Sequence, residues 1–333
     1  EVSLFFPSAQ RLLTRGDPFP SGAGFKPPAS LQGIQRDYRT GYLQHWNLSL
    51  ERELPGRLVA RASYVGSKGA KLLRRRDINQ PAPGPGNPNA RRPIPGFSNV
   101  ALAESGSSST FHSGQLSVER RFRPGVLFSA AYTFAKSLDD ASEFLSTTGD
   151  QSFPQNSANL RAERGRSNFD LRHRLVFYTT YDLPRGFQFH AIGVVQSGPP
   201  LTPQLSFDNS NTGNTGGIFG ADRPNLAGDP NTGPRSPERF FRTEAFATPP
   251  PLQFGSAGRN ILDGPGLTTL DASLVKTLRL NESLRLEARA EVFNLFNHPN
   301  FGLPSRFSDL PTFGRISAAG PGRQVQFSLR LRY

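Results

Sequence analysis

Apolar and polar residues trade places one for one along nine stretches of this chain, most cleanly over the last ten residues, Gln324 to Tyr333. Val325, Phe327, Leu329, Leu331 and Tyr333 share one face; Gln324, Gln326, Ser328, Arg330 and Arg332 share the other. A period of two is the strand period. The same reading predicts a strand over about 42–53, where Trp46, Leu48 and Leu50 alternate with Asn47, Ser49 and Glu51. It turns at Leu54-Pro55-Gly56-Arg57 and returns from Leu58 to Tyr64. Three more such hairpins are predicted: 113–122 with 126–136 through Arg123-Pro124-Gly125, 174–182 with 187–197 through Leu183-Pro184-Arg185-Gly186, and 268–280 with 284–293 through Asn281-Glu282-Ser283. Turns rich in Pro, Gly, Asn and Ser suit tight hairpins. Residues 1–40 are broken by Pro and Gly and carry no sustained period.

Lengths and connections decide what the two faces meet. Each stretch is roughly ten residues, enough to cross the ~25 Å apolar band of an outer membrane when tilted about 40°. Soluble sandwich strands average nearer five or six residues. Within each hairpin the turn is short, whereas the connections 65–112, 137–173, 198–267 and 294–323 are long. That asymmetry matches periplasmic turns and extracellular loops. The expected fold is therefore all-β: an antiparallel up-and-down transmembrane barrel, present as an open sheet of about nine strands over 41–333, with 1–40 extracellular. Nine is odd, and open sheet edges do not survive in lipid. The chain is read as the C-terminal portion of a larger barrel, with strand 324–333 pairing only to 284–296 and its other edge open.

Composition agrees. Mean hydropathy is −0.46 over 333 residues, and no apolar run approaches the roughly 18 residues of a membrane-spanning helix. Barrel strands average out to near-neutral hydropathy, so this leaves the barrel intact. There is no cysteine, which excludes disulfides and thiolate chemistry. Glu1 stands first and no export signal is visible, consistent with a fragment. The net charge is +13, with only five lysines among 39 cations. The arginines form short clusters such as Arg74-Arg75-Arg76 rather than a basic stripe with interleaved aromatics, so nucleic acid is not an expected partner.

Candidate chemistry is sparse. His45, His112, His173, His190 and His298 make no short metal-ligand spacing and read as lumenal or loop histidines. No catalytic elbow, Walker loop or dinucleotide fingerprint occurs, so neither an enzyme nor a cofactor or metal site is expected. Asp139-Asp140 and Asp208-Asn209-Ser210-Asn211 lack the spacing of a calcium loop and read as solvated turns. Arg285, Glu287, Arg289 and Glu291 form a ladder on the polar side, extended by Arg330 and Arg332. This polar wall either meets a plug or a polar solute, or satisfies itself by cross-strand pairing. Arg74 to Arg76 read as solvated, with lipopolysaccharide phosphate or an acidic ligand as the alternative.

Several long blocks then point to a family. QHWNLSLERELPGRLVARASYVGSKGAKL, AAYTFAKSLDDAS, NLRAERGRSNFDLRHRLVF, AGRNILDGPG and RAEVFNLFNHPNFGLPS resemble the C-terminal barrel of Oar-like TonB-dependent receptors, outer-membrane proteins numerous in Acidobacteria. The resemblance implies a barrel of about 22 strands, an N-terminal plug, and energised uptake of an oligosaccharide, metal chelate or peptide. It also implies a diderm bacterium's outer membrane as location. The implied partners are membrane lipid and lipopolysaccharide, the TonB complex through the plug, and an external ligand. A structural or adhesive barrel is the other membrane reading, and a secreted glycan-binding module the soluble one. A final strand ending on an aromatic resembles the signal read by the barrel-assembly machinery, here Phe327, Leu329, Leu331 and Tyr333.

Overall fold

The computed structural model describes residues 29–120, 125–142, 153–214 and 220–333. Nine strands run consecutively in one antiparallel sheet: β1 (Tyr42–Leu54), β2 (Leu58–Asp77), β3 (Phe97–Arg120), β4 (Val126–Asp139), β5 (His173–Leu183), β6 (Phe187–Gln196), β7 (Leu267–Arg279), β8 (Arg285–Phe293) and β9 (Gln324–Arg332). Along this path each pairs with its sequence neighbours, Gly165–Arg166 adds a short pairing to β4, and among the described residues the sheet does not close. Among the described residues β9 pairs with β8 and with no other strand, as its pattern predicts, and β1 is the opposite edge.

Registers keep like chemistry on one side. Leu50 faces Ala62, Ala62 faces Leu116, and Leu116 faces Tyr132 across the first four strands. Ala288 and Ala290 of β8 oppose Leu329 and Phe327 of β9, while Glu287 and Glu291 oppose Arg330 and Gln326. A slip of one residue would turn every apolar side chain onto the polar face. Local chemistry sets the turns that fix this register. Gly56 and Arg57 both take positive φ (80° and 61°) after Pro55, a geometry open to Gly56 because it lacks a Cβ. Asn281 accepts from the backbone N–H of Ser283 (3.1 Å) and Leu284 (2.8 Å), closing the β7–β8 turn. Of the Arg123-Pro124-Gly125 turn only Gly125 lies within the described residues.

Two expectations change. The connection 65–112 is not chiefly loop: β2 and β3 continue as a paired ribbon, with Arg74 opposite Glu104 and Asp77 opposite Ala101. Residues 29–34, expected to be irregular, form a strand laid parallel on β3, with Leu31 opposite Val100 and Ile34 opposite Ala103. The ribbon is entered through a break in register between Gly69 and Leu73, where Lys71 takes φ 54°. Beyond the break the binary pattern lapses, because neither face of the ribbon has a uniform solvent.

The long connections pack together above the same end of the sheet, and their interior is polar. Among the described residues 26 polar or charged side chains are buried against 12 apolar ones, so hydrogen bonds rather than oil hold this layer. Its one apolar nucleus comprises Leu201, Phe240, Phe241 and Leu262, with Phe313 edge-on to Phe241 at 5.0 Å.

Candidate functional site: the inner wall and the loop layer

The predicted wall residues lie together. Arg289 donates to Glu287 (3.1 Å) and Glu291 (3.5 Å), Arg332 crosses from β9 to Glu287 (3.0 Å), and Gln326 reaches Glu291 (3.4 Å). Self-satisfying pairing therefore accounts for Glu287, Arg289 and Glu291. Arg285 is different: it stands in register between Arg279 on β7 and Arg332 on β9, a row of like charges at the turn end of the sheet. Arg330 is exposed, in register with Glu287. Phe327, Leu329, Leu331 and Tyr333 line the opposite face; Phe327 is 78% and Leu329 71% exposed.

The same polar face continues on β1–β4, where the alternation pattern would have found it. Asn47, Ser49, Glu51, Arg61, Ser63, Gln115 and Thr133 surround a hollow of about 690 Å³. Ser49 and Ser63 hydroxyls pair at 2.9 Å, and Arg61 donates to Glu51 at 2.5 Å. Between the two polar patches the wall turns apolar: Val176 faces Val194 and Tyr178 faces Ile192. Tyr178 is 44% and Ile192 50% exposed there.

Other sequence readings need correction. His112 and His173 are not lumenal; they stand on the apolar face. The Tyr64 hydroxyl bonds His112 Nδ1 at 2.7 Å beside Trp46, and the Tyr132 hydroxyl bonds His173 Nδ1 at 2.7 Å beside Phe134. His190 does sit on the polar face, near Thr180 (3.0 Å). The acidic turns are not solvated. Asp139 is buried against Arg259 and Ser142; Asp140 accepts from Ser107 and Ser108. Asp208 accepts backbone bonds from Thr212 (3.0 Å) and Gly213 (2.7 Å), and Asn209 is tied to Pro250 O (3.0 Å). Nor are Arg74 to Arg76 a solvated cluster. Arg74 and Arg76 clasp Glu104 at 2.7 and 3.0 Å, and buried Arg75 lies 4.8 Å over the Phe153 ring.

These contacts belong to a continuous network that no local pattern announces. Gln80 reaches Gln155 O (2.9 Å) and Asn214 (3.0 Å); Asn214 binds Asp222 (2.8 Å); Arg223 pairs with Glu163, and Arg259 holds Glu163 O (2.9 Å) and Asp139. Burial pushes the Asp222 carboxyl up to about 6, hydrogen bonds from Asn214 and Ser210 opposing the rise and nearby Asp208 adding to it. The network ties the long connections to one another over the outer end of the sheet.

Residues 5–326 match the family model described as the outer membrane beta barrel domain. The chain belongs to that family. The apolar face of this barrel domain is thus its lipid face, the polar face its lumen, and its location the outer membrane; the secreted soluble module is ruled out. Lipid explains the exposure of Leu48, Leu50, Leu116 and Phe327. It also explains Lys276, which sits on that face and bends its ammonium over Phe187 (4.4 Å) to the Arg185 carbonyl at the membrane edge. No curated protein matches. Among solved structures the barrel domain is similar to the outer membrane transporter YddB from Escherichia coli, at 14% identity and TM-score 0.52 over 92% of this chain and 34% of that one. It also aligns with the FrpB iron transporter from Neisseria meningitidis at 12% identity and TM-score 0.46, over 91% of this chain and 33% of that one. The barrel domain spans about a third of the length of these proteins.

Proposed function

We propose that this domain is the C-terminal part of the barrel of a TonB-dependent, Oar-like receptor-transporter. Further strands close its two free edges, and an internal plug fills its lumen. The observation that carries this reading is the inner wall. A water-filled pore has no reason to present Val176, Tyr178, Ile192 and Val194 to solvent halfway across the membrane. Nor does it favour Arg279, Arg285 and Arg332 in one row at the periplasmic mouth. A plug with an apolar flank and an acidic periplasmic edge satisfies both.

In this reading the hydrogen-bonded loops capture an oligosaccharide, a metal chelate or a peptide. Energy passed through the TonB complex rearranges the plug, and the ligand crosses along the lumen. The strand holding Phe327, Leu329, Leu331 and Tyr333 is presented to the barrel-assembly machinery during insertion. Likeness in fold to a transporter supports the reading without fixing the ligand.

The test uses a domain that has no cysteine. Tyr178→Cys in the native outer-membrane protein should react with a membrane-impermeant maleimide at least tenfold more slowly than Glu244→Cys in the loop layer. The protection should change when the proton gradient is collapsed. Equal rates at the two positions would mean an open or purely structural barrel and end the transporter reading.

A further inference from the structure

Two arginines on the lumenal side of β5 have no counter-charge among the described residues. Arg174 faces Thr133 on β4 and Gln196 on β6. Arg172 stands two residues further out on the same parity, its carbonyl accepting from the Ala135 N–H at 3.0 Å. Arg174 is exposed and Arg172 half-buried. Neither makes an ion pair or a side-chain hydrogen bond among the described residues, and the Arg172 Nε is buried without a partner. The neighbouring cations are matched: Arg166 donates to Asp170 (2.7 Å) and Asp263 (2.6 Å), and Arg235 lies 3.6 Å from Asp263. Two positive charges are left over at the outer mouth of the lumen, about 7 Å apart along the strand.

Arg174 also heads a row. It faces Thr133, Thr133 faces Gln115, Gln115 faces Ser63, and Ser63 faces Ser49. All members after Arg174 present a hydroxyl or an amide and no charge. Four strand spacings of about 4.8 Å give the row a length of ~19 Å. It slopes inward: Arg174 stands nine residues from the turn end of β5, and Ser49 five from that of β1. The row therefore descends by roughly 10 Å, from the outer mouth toward the middle of the lumen. Thr133, Gln115, Ser63 and Ser49 border the hollow of about 690 Å³ on β1–β4. The apolar patch and the arginines at the turn end, which the plug covers, lie instead on β5–β9.

The order of groups selects a ligand. A metal chelate gathers its charge in one compact body, and an acidic peptide offers few hydroxyls. A row with cations at the mouth and hydroxyls and amides beyond suits an extended chain that carries carboxylates and a hydroxyl on every unit. We infer that this row binds an acidic oligosaccharide. Arg172 and Arg174 take its carboxylates by two-point contacts of the guanidinium fork. Thr133, Gln115, Ser63 and Ser49 take its hydroxyls further in, where a hydroxyl or amide wall can donate and accept alike. The inference rests on the transporter reading and narrows its ligand to one class.

The experiment takes the native protein extracted from outer membranes in mild detergent. It is titrated calorimetrically with tetramers of galacturonate, glucuronate and mannuronate, with the methyl ester of each, with tetraglutamate and with ferric citrate. At least one uronate tetramer should bind, at least tenfold more tightly than its own ester. Arg172→Gln and Arg174→Gln should each weaken that binding about tenfold, and Arg174→Lys should keep part of it. Thr133→Val should weaken it about threefold. Neither arginine has a side-chain bond to lose among the described residues, so heat-modifiable migration of these variants should stay that of the parent. No uronate binding, equal binding of the esters, or parental affinity in both glutamine variants overturns the proposal. Tetraglutamate or ferric citrate binding more tightly than every uronate, unmoved by Thr133→Val, overturns the saccharide class. The titration needs neither TonB nor a proton gradient, so failure here leaves the maleimide test of transport standing, and failure there leaves this binding standing.

Discussion

Leu116 in the sheet is 58% exposed, while Asp222 in the loop layer is 0% exposed, the reverse of where a soluble domain puts such residues. Each follows from its surroundings. In the sheet backbone groups satisfy one another along the ladder, so apolar side chains are free to meet lipid. In the loop layer most backbone groups have no ladder, and side chains such as Asn79, Gln80, Asn209 and Arg259 bond the orphan carbonyls instead. One region therefore draws its stability from a uniform external solvent, and the other from pairwise bonds between positions as far as 134 residues apart.

That contrast can be broken at chosen points. The largest effect should come from Arg259→Ala, which leaves Asp139 buried without its cation. A loss of about 3–5 kcal/mol is expected, confined to the loop layer. Limited proteolysis should cut the loops while heat-modifiable migration of the barrel persists; loss of both together would show that the two regions do not fold independently. Next comes Leu116→Arg, four residues above the end of β3 and near mid-membrane, expected to cost about 2–4 kcal/mol in lipid vesicles by urea unfolding. Ser117→Arg, one residue on and facing the lumen, should cost little by the same measurement.

A smaller effect should follow pH. The Asp222 carboxyl has its folded pKa raised to about 6 from an ordinary value of 3.8. The folded layer therefore binds the proton more tightly than the unfolded one, and protonation favours the fold. That contribution is present at acid pH and lost as pH rises through about 6. Between pH 7 and pH 5 the layer should gain about 1 kcal/mol, read as slower hydrogen exchange at Ser210 after correction for intrinsic rates. Asp222→Asn should remove the slope. The smallest change is Ser49→Ala in the lumen. Water replaces the lost partner of Ser63, and stability should move by less than about 0.5 kcal/mol in the same urea assay.

The contrast also accounts for what could be read from residues alone. All nine strands are visible because lipid and lumen impose a binary code with period two. The code stops where the lipid stops, which is why the β2–β3 ribbon past Lys71 reads as loop. The Glu287, Arg289 and Glu291 part of the wall is legible because cross-strand partners follow from register once the hairpins are known. The apolar patch at Tyr178 and Ile192 is not legible, because only the lipid-facing positions of β5 and β6 carry a clear rhythm. The burial of Asp139, Asp208 and Arg74 was not legible at all. Each partner is fixed by tertiary packing, and the same short sequences suit a solvated turn equally well.

Along the nine-strand path, neighbours in the sheet are neighbours in the chain, and the consequence is one of time. None of these nine strands has to wait for a partner made much earlier or much later, so the wall can grow one hairpin after another from either end. The tight turns at Pro55-Gly56 and Pro184-Arg185 make each hairpin a quick local event. The stretches between hairpins, though several times longer, add only about 0.6 kcal/mol of closure entropy for each doubling of length. Lengthening an outer connection should therefore barely slow insertion, while lengthening a tight turn should stall it. Evolution is left free to rewrite the outer surface without renegotiating how the wall is built.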